Sequence, residues 1–191
     1  MSLIESFILI SGLIYIFLAT RNKSACWIFG IICSGLLVYT STVKYKLYAD
    51  ALLNVFYVVM GVIGLYSWYT QDSREEDQRL IRSMTMSLWV KYLGMGLLCT
   101  IAMGSLLAEY SDAFATYWDA GTTVFSILAT ILLVQRYAEN WIFWIIIDII
   151  MMVLYYQRGG EQTALLFGVY TVFAAYGWYN WRRLYRGSFG R

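Results

Sequence analysis

W27-I-F-G30 … A51-L-L-N-V-F-Y57 … G64-L-Y-S-W68, followed by W144-I-I-I147 … A164-L-L-F-G-V-Y170 … G177-W-Y-N-W181, is one apolar pattern written twice. Trp27 and Tyr39 precede Trp144 and Tyr156 by 117 residues, while Ala51, Tyr57, Gly64 and Trp68 precede Ala164, Tyr170, Gly177 and Trp181 by 113. One deletion of four residues in the second connection aligns them all. Chance likeness between Tyr-rich membrane helices is the alternative; matched Gly and aromatic positions across a single gap favour duplication. Internal repeats of interrupted hydrophobic segments mark secondary transporters, which bind substrate where the repeats meet.

The composition excludes an ordinary soluble domain. Sixty per cent of the 191 residues are hydrophobic and 14% are charged, against roughly a quarter charged in a globular protein. Without His there is no imidazole base, metal ligand or pH switch. Cys26, Cys33 and Cys99 sit in apolar context without metal-ligand spacing and read as small buried hydrophobes. No Gly-rich phosphate loop follows a strand-like run, and the basic residues form no nucleic-acid surface. A cofactor is not expected. Nor is an enzyme: Asp148 and Asp119 lack a visible catalytic partner.

A helix needs about 20 mostly apolar residues to cross the hydrocarbon layer. Segments 3–20, 25–43, 48–70, 85–108, 113–134, 139–157 and 161–181 meet that need. The predicted fold is therefore an all-α integral membrane protein with seven transmembrane helices in a single domain, 1–191. Its first three-helix repeat is 1–70, its linker helix 85–108 and its second repeat 113–181. An odd linker makes the two triplets parallel, a 3+1+3 duplicated bundle, with one pathway between two bundles that rock against each other. Long continuous apolar runs argue against a β-barrel, and the first segment lacks the basic start and cleavage site of a signal peptide.

Seven crossings place the termini on opposite faces. Lys44, Lys46 and Arg158 fall on the N-terminal face; Arg21, Lys23, Arg74, Arg79, Arg82, Lys91, Arg136, Arg182, Arg183, Arg186 and Arg191 fall on the other. The positive-inside rule then predicts an outside N-terminus and a cytoplasmic C-terminus.

The chemistry concentrates in E139-N-W-I-F-W-I-I-I-D148. Helical spacing puts Trp144 and Asp148 on one face, with Trp141 nearby. A carboxylate deep in a span is expensive unless it meets a polar cavity or partner. Trp141, Trp144 and Asp148 thus read as one wall of a substrate site, the alternative being interfacial Trp packing and an Asp tied to a neighbouring helix. In this alignment Trp27 is the partner of Trp144, and Ile31 stands opposite Asp148. Asn54 and Tyr57 share a face of the third helix; Tyr170 matches Tyr57, and Phe167 replaces Asn54. Asn54 suits a substrate hydroxyl or amide, or a helix–helix hydrogen bond. Asp119, followed by Thr122, Thr123 and Ser126, reads either as a residue over an outward vestibule or as a solvated helix end; Asp112 reads as a solvated helix end. Asp50 reads as a helix-start acceptor, and Trp68 as an interfacial anchor. Aromatic faces beside acids, without a deep Arg or Lys, fit a small aromatic solute, neutral or cationic.

These residues resemble the PnuC family of bacterial vitamin transporters, whose best-known member carries nicotinamide riboside. The resemblance spans Gly12–Leu18, W27-I-F-G30, L47-Y-A-D50-A-L-L-N-V-F-Y57, G64-L-Y-S-W68, D119-A with S126-I-L-A-T130, E139 through D148, Tyr155, and G177 to W181-R-R. It implies a SWEET-like full-length transporter fold, a homotrimer in the bacterial inner membrane, and facilitated diffusion with cytoplasmic phosphorylation trapping the vitamin. It also implies that the family's ligand-binding W-x-x-W-x-x-x-N-or-D pattern falls on Trp141, Trp144 and Asp148. Relatives of this fold carry thiamine or riboflavin, so nicotinamide riboside and thiamine both stay open as the substrate.

Overall fold

Among the described residues of the computed structural model seven α-helices form the framework: α1 (Leu3–Thr20), α2 (Cys26–Tyr39), α3 (Tyr48–Asp72), α4 (Met86–Tyr110), α5 (Thr116–Val134), α6 (Asn140–Gln157) and α7 (Glu161–Ser188). A five-residue π turn, Thr40–Lys44, continues α2. The structure describes residues 3–44, 46, 48–72, 81–110, 116–157 and 159–188. Among the described residues no β-ladder forms; Arg82 and Tyr137 make a single isolated bridge. Helix is what lipid demands, because every peptide group must find its partner inside its own segment. The absence of Pro lets these ladders run unbroken.

Among the described residues six helical segments are long and apolar enough to cross a membrane: α1, α2 together with its π turn (Cys26–Lys44), and α3 to α6. The 28-residue α7 is less apolar overall and ends in a basic turn. Arg74, Arg79, Arg158 and Arg191, together with Glu75–Asp77 and Asp112, lie outside the described residues.

The chain divides into two compact units, Met1–Leu80 with Arg186–Arg191, and Ile81–Tyr185. In the first, α1 packs on α2 and α2 on α3. In the second, α4 packs closely on α5: a Cβ on Gly104 would lie 2.4 Å from the Tyr117 ring, and one on Gly96 would lie 2.6 Å from Phe125. Small residues admit such approach between membrane helices. The helix predicted as a linker, α4, thus lies within the second unit. Its core gathers Met84, Tyr92, Leu128, Ala129, Leu132, Phe143 and Ile147, with Trp144 packed at the edge.

Three helices end in one chemical device. Lys23 N–H donates to Leu18 O and Asn22 N–H to Ala19 O; Tyr137 N–H donates to Leu132 O and Arg136 N–H to Leu133 O. Gly160 and Gly159 repeat the pattern on Tyr155 and Tyr156. These are Schellman caps, which need a left-handed residue. Asn22, Arg136 and Gly159 supply it with φ of 53°, 60° and 76°. Gly159 adopts it freely, and Asn tolerates it. Arg136 is a costlier choice, held in place by the bridge to Arg82, whose N–H donates to Arg136 O at 2.8 Å.

Glu139 completes this junction. Its carboxylate accepts the Ser83 hydroxyl at 2.6 Å and the Met84 N–H at 2.9 Å, and it is 3% exposed. The segment entering α4 is thereby clasped to the start of α6. Thr85 caps α4 through its hydroxyl, which accepts the Leu88 N–H at 3.4 Å.

Candidate functional site

Several local contacts occur twice along the chain, and the register in which they recur differs from the one predicted above. The caps match at a spacing of 114 residues, Asn22 with Arg136, and the hydrogen bonds into the next helix follow in step. Trp27 N–H donates to Ser24 O and Trp141 N–H to Ala138 O, both at 3.2 Å. Trp27 meets Trp68 edge to face at 5.3 Å and 84°; Trp141 meets Trp181 at 5.6 Å and 86°. A Cβ on Gly64 would lie 2.4 Å from the Trp27 indole, and one on Gly177 would lie 2.6 Å from Trp141. Both indole Nε1 atoms are buried without a hydrogen-bond partner.

Trp27 is therefore the counterpart of Trp141, not of Trp144. The sequence agrees once read this way: W27-I-F-G-I-I-C-S34 lies over W141-I-F-W-I-I-I-D148. Opposite Asp148 stands Ser34, not Ile31, and both are buried, at 4% and 9% exposure. The third helices still match at 113, so the connections differ by one residue, not four. The longer connection is the one carrying the π turn Thr40–Lys44, which accommodates an extra residue within a continuous helix.

Trp144 and Asp148 stand one turn apart on α6. Trp144 is half-buried; the Asp148 carboxyl is buried, and no hydrogen bond or ion pair among the described residues reaches it. A buried carboxyl in that state gains from any ligand that donates hydrogen bonds or brings positive charge. Trp141, by contrast, is 2% exposed, enclosed by Gly177 and Trp181. Its place is in the packing that sets α6 against α7.

Each remaining predicted position has its own local surroundings. Trp27 is enclosed like Trp141. Asn54 is buried and donates to Asp50 O at 2.9 Å, so its amide nitrogen is engaged within α3. Tyr57 is half-buried with its ring 5.7 Å from Phe56. Tyr170, also half-buried, stands edge-on to Phe167, which stacks on Tyr155 at 5.5 Å. Asp119 is half-buried in the first turn of α5, where the Thr122 hydroxyl donates to its carbonyl at 3.1 Å.

Three smaller expectations are corrected. Trp68 is fully buried rather than an interfacial anchor, because Trp27 receives it edge-on. Cys99 is exposed on α4, and Cys33 is half-buried; only Cys26 is fully enclosed. The Asp50 carboxylate accepts the Ser41 hydroxyl from the π turn, tying α2 to α3 at the end where Lys44 pairs with Glu5.

A cleft of about 300 Å³ opens among α4, α5 and α6, walled by Trp89, Trp118, Phe125 and Phe143. Neither Trp144 nor Asp148 lines it, and its few hydroxyl-bearing residues (Thr100, Tyr117, Thr122) give a polar solute little to bind. Among the described residues no acidic or thiol cluster is placed to hold a metal ion.

A family model described as nicotinamide mononucleotide transporter matches residues 2–183. The chain belongs to that family. Its relatives include the nicotinamide riboside transporter PnuC of Escherichia coli, 27% identical over 95% of this chain and 85% of that one. The Neisseria mucosa protein of the same name is 25% identical over 95% of this chain and 73% of its own length. A crystal structure of the vitamin B3 transporter PnuC superposes with a TM-score of 0.78 at 25% identity, covering 97% of this chain and 83% of that one. This family member is a membrane transporter, not an enzyme.

Proposed function

We propose that this chain imports nicotinamide riboside across a bacterial inner membrane by facilitated diffusion, with a separate cytoplasmic kinase trapping the vitamin as its phosphate. The observation that carries the reading is the Trp144–Asp148 face. A half-buried indole lies one helical turn from Asp148, which is 4% exposed and meets no hydrogen-bond or ion-pair partner among the described residues. A pyridinium ring would gain from the indole face by roughly 0.5–2 kcal/mol. Ribose hydroxyls, or the ring's charge, would satisfy the carboxyl. The relatives named nicotinamide riboside transporter support the same solute.

In this reading Trp141 acts through α6, fixing the helix that carries Trp144 and Asp148. Asn54 and Tyr57 in the first repeat, and Tyr170 and Asp119 in the second, are weaker contributors to the pathway. The reading also takes α7 as the seventh crossing, so that both repeats enter the membrane from one side, with the N-terminus outside and the C-terminus cytoplasmic. The assembly proposed is a homotrimer, to be checked by native mass spectrometry.

Competition settles the substrate. Nicotinamide riboside should displace labelled riboside better than thiamine or riboflavin does. Thiamine winning by tenfold, about 1.4 kcal/mol, would reassign the transporter.

A further inference from the structure

The corrected register exposes a reciprocal exchange of large and small residues. At the position of Trp144 on α6, α2 carries Gly30. Counting back equally from the two matched caps, Tyr15 on α1 stands where α5 has Ala129. The second repeat thus pairs a small residue on its first helix with an indole on its second. The first repeat pairs a phenol on its first helix with glycine on its second.

The geometry makes the exchange physical. A Cβ on Gly30 would come 3.0 Å from Tyr15 Cδ2 and 3.1 Å from Cε2, so the ring lies directly over the bare backbone of Gly30. Its centroid is 6.2 Å from the Trp27 indole, tilted by 56°. Tyr15 and Trp144 are both half-buried, whereas Trp27 and Trp141, the enclosed pair, are each 2% exposed. Ala129 is fully buried, leaving no aromatic group at that point of α5. Each repeat therefore keeps one enclosed tryptophan and one partly open aromatic ring beside it, drawn from different helices.

We propose that Tyr15 is the first repeat's substrate-facing aromatic group, the counterpart of Trp144, supplied by α1 instead of α2. The proposal rests on the riboside reading above and adds a residue to it. The ring presents a π-face to the solute; its hydroxyl is not needed for that role. Gly30 is the residue that lets the ring take this position, because a side chain there would displace it.

The test is calorimetric binding of nicotinamide riboside to the purified full-length protein, with thermal unfolding of each variant alongside. Tyr15→Phe keeps the π-face and should bind within threefold of the unaltered chain. Tyr15→Leu keeps bulk without the face and should weaken binding at least tenfold while still unfolding cooperatively near the original midpoint. Trp144→Leu, measured in parallel, should also lose binding. A folded Tyr15→Leu that binds like the unaltered chain, while Trp144→Leu does not, overturns the proposal and leaves the riboside reading standing. Equal weakening by Phe and Leu would assign the effect to the hydroxyl and overturn it too. No binding by the unaltered chain would overturn the parent reading and this one with it. If Tyr15→Leu fails to fold, Tyr15→Ala combined with Gly30→Trp decides, since it rebuilds the second repeat's arrangement in the first. Binding within threefold supports the proposal; folded protein without binding overturns it.

Discussion

Gly177 and Trp141 pack so closely that a single methyl group on the glycine would sit 2.6 Å from the indole. Gly64 and Trp27 stand in the same relationship at 2.4 Å. Each tryptophan is received edge-on by a second one, Trp181 or Trp68, that is fully buried. The same closely packed Gly–Trp–Trp arrangement thus occurs twice in the chain.

Gly64→Ala and Gly177→Ala should each destabilise the protein by about 1–3 kcal/mol, the usual cost of overpacking a filled core. Gly35 and Gly94 meet nothing within 4 Å and lie inside helices. Alanine there should be neutral or stabilising by roughly 0.5–1 kcal/mol. Thermal unfolding of the four variants in one detergent checks the contrast; equal effects would remove the packing argument.

The substrate face and the Gly–Trp–Trp arrangements should fail in different ways. Trp68→Ala removes a fully buried side chain and should cost about 3–5 kcal/mol of stability. Trp144→Ala, at a half-buried position on the edge of the core, should cost less stability than Trp68→Ala and weaken riboside binding. Asp148→Asn keeps the shape and removes the charge; a loss of about tenfold in affinity is expected if the carboxylate meets a cation. Unchanged affinity in folded Asp148→Asn would confine its role to hydrogen bonding.

Glu139 should matter for the junction it clasps. Glu139→Ala strands the buried Met84 N–H and frees Ser83, a loss of about 1–3 kcal/mol for the unsatisfied donor alone. Hydrogen exchange at residues 81–84 should quicken in this variant and less so in Ser83→Ala. Slow exchange preserved in Glu139→Ala would show that the bridge from Arg82 holds the segment by itself.

Much of this architecture was legible in the residues. Long apolar runs and the absence of Pro announced the helices, and the doubled Gly and Trp positions pointed to the contacts that recur in the two halves. The register was not, because α6 offers two tryptophans three residues apart and either can be laid over Trp27. Ile28–Phe29 over Ile142–Phe143 was the available signal, but side-chain likeness at Tyr39 and Tyr156 outweighed it. What decides is three-dimensional: the caps at Asn22 and Arg136, and which indole rests on Gly177. The same cause hid Tyr15 and Ser34, since their counterparts become visible only in the right register. Trp68 was misplaced because an indole near a helix end has the same sequence signature whether it faces lipid or a neighbouring ring.

Orientation is open to cysteine labelling. Cys99 is exposed and has to be replaced first. With it removed, a cysteine at position 112 should react from outside, and cysteines at 76 and 186 from the cytoplasm. Reversed labelling would refute the topology; position 76 outside with 186 inside would break the odd crossing count.

The central claim is passive movement of the riboside. Purified protein in sealed liposomes should bring labelled nicotinamide riboside to equal concentrations on both sides, without ATP or an ion gradient, and the recovered solute should be chemically unchanged. Accumulation above equilibrium that collapses when a proton or sodium ionophore is added would contradict it.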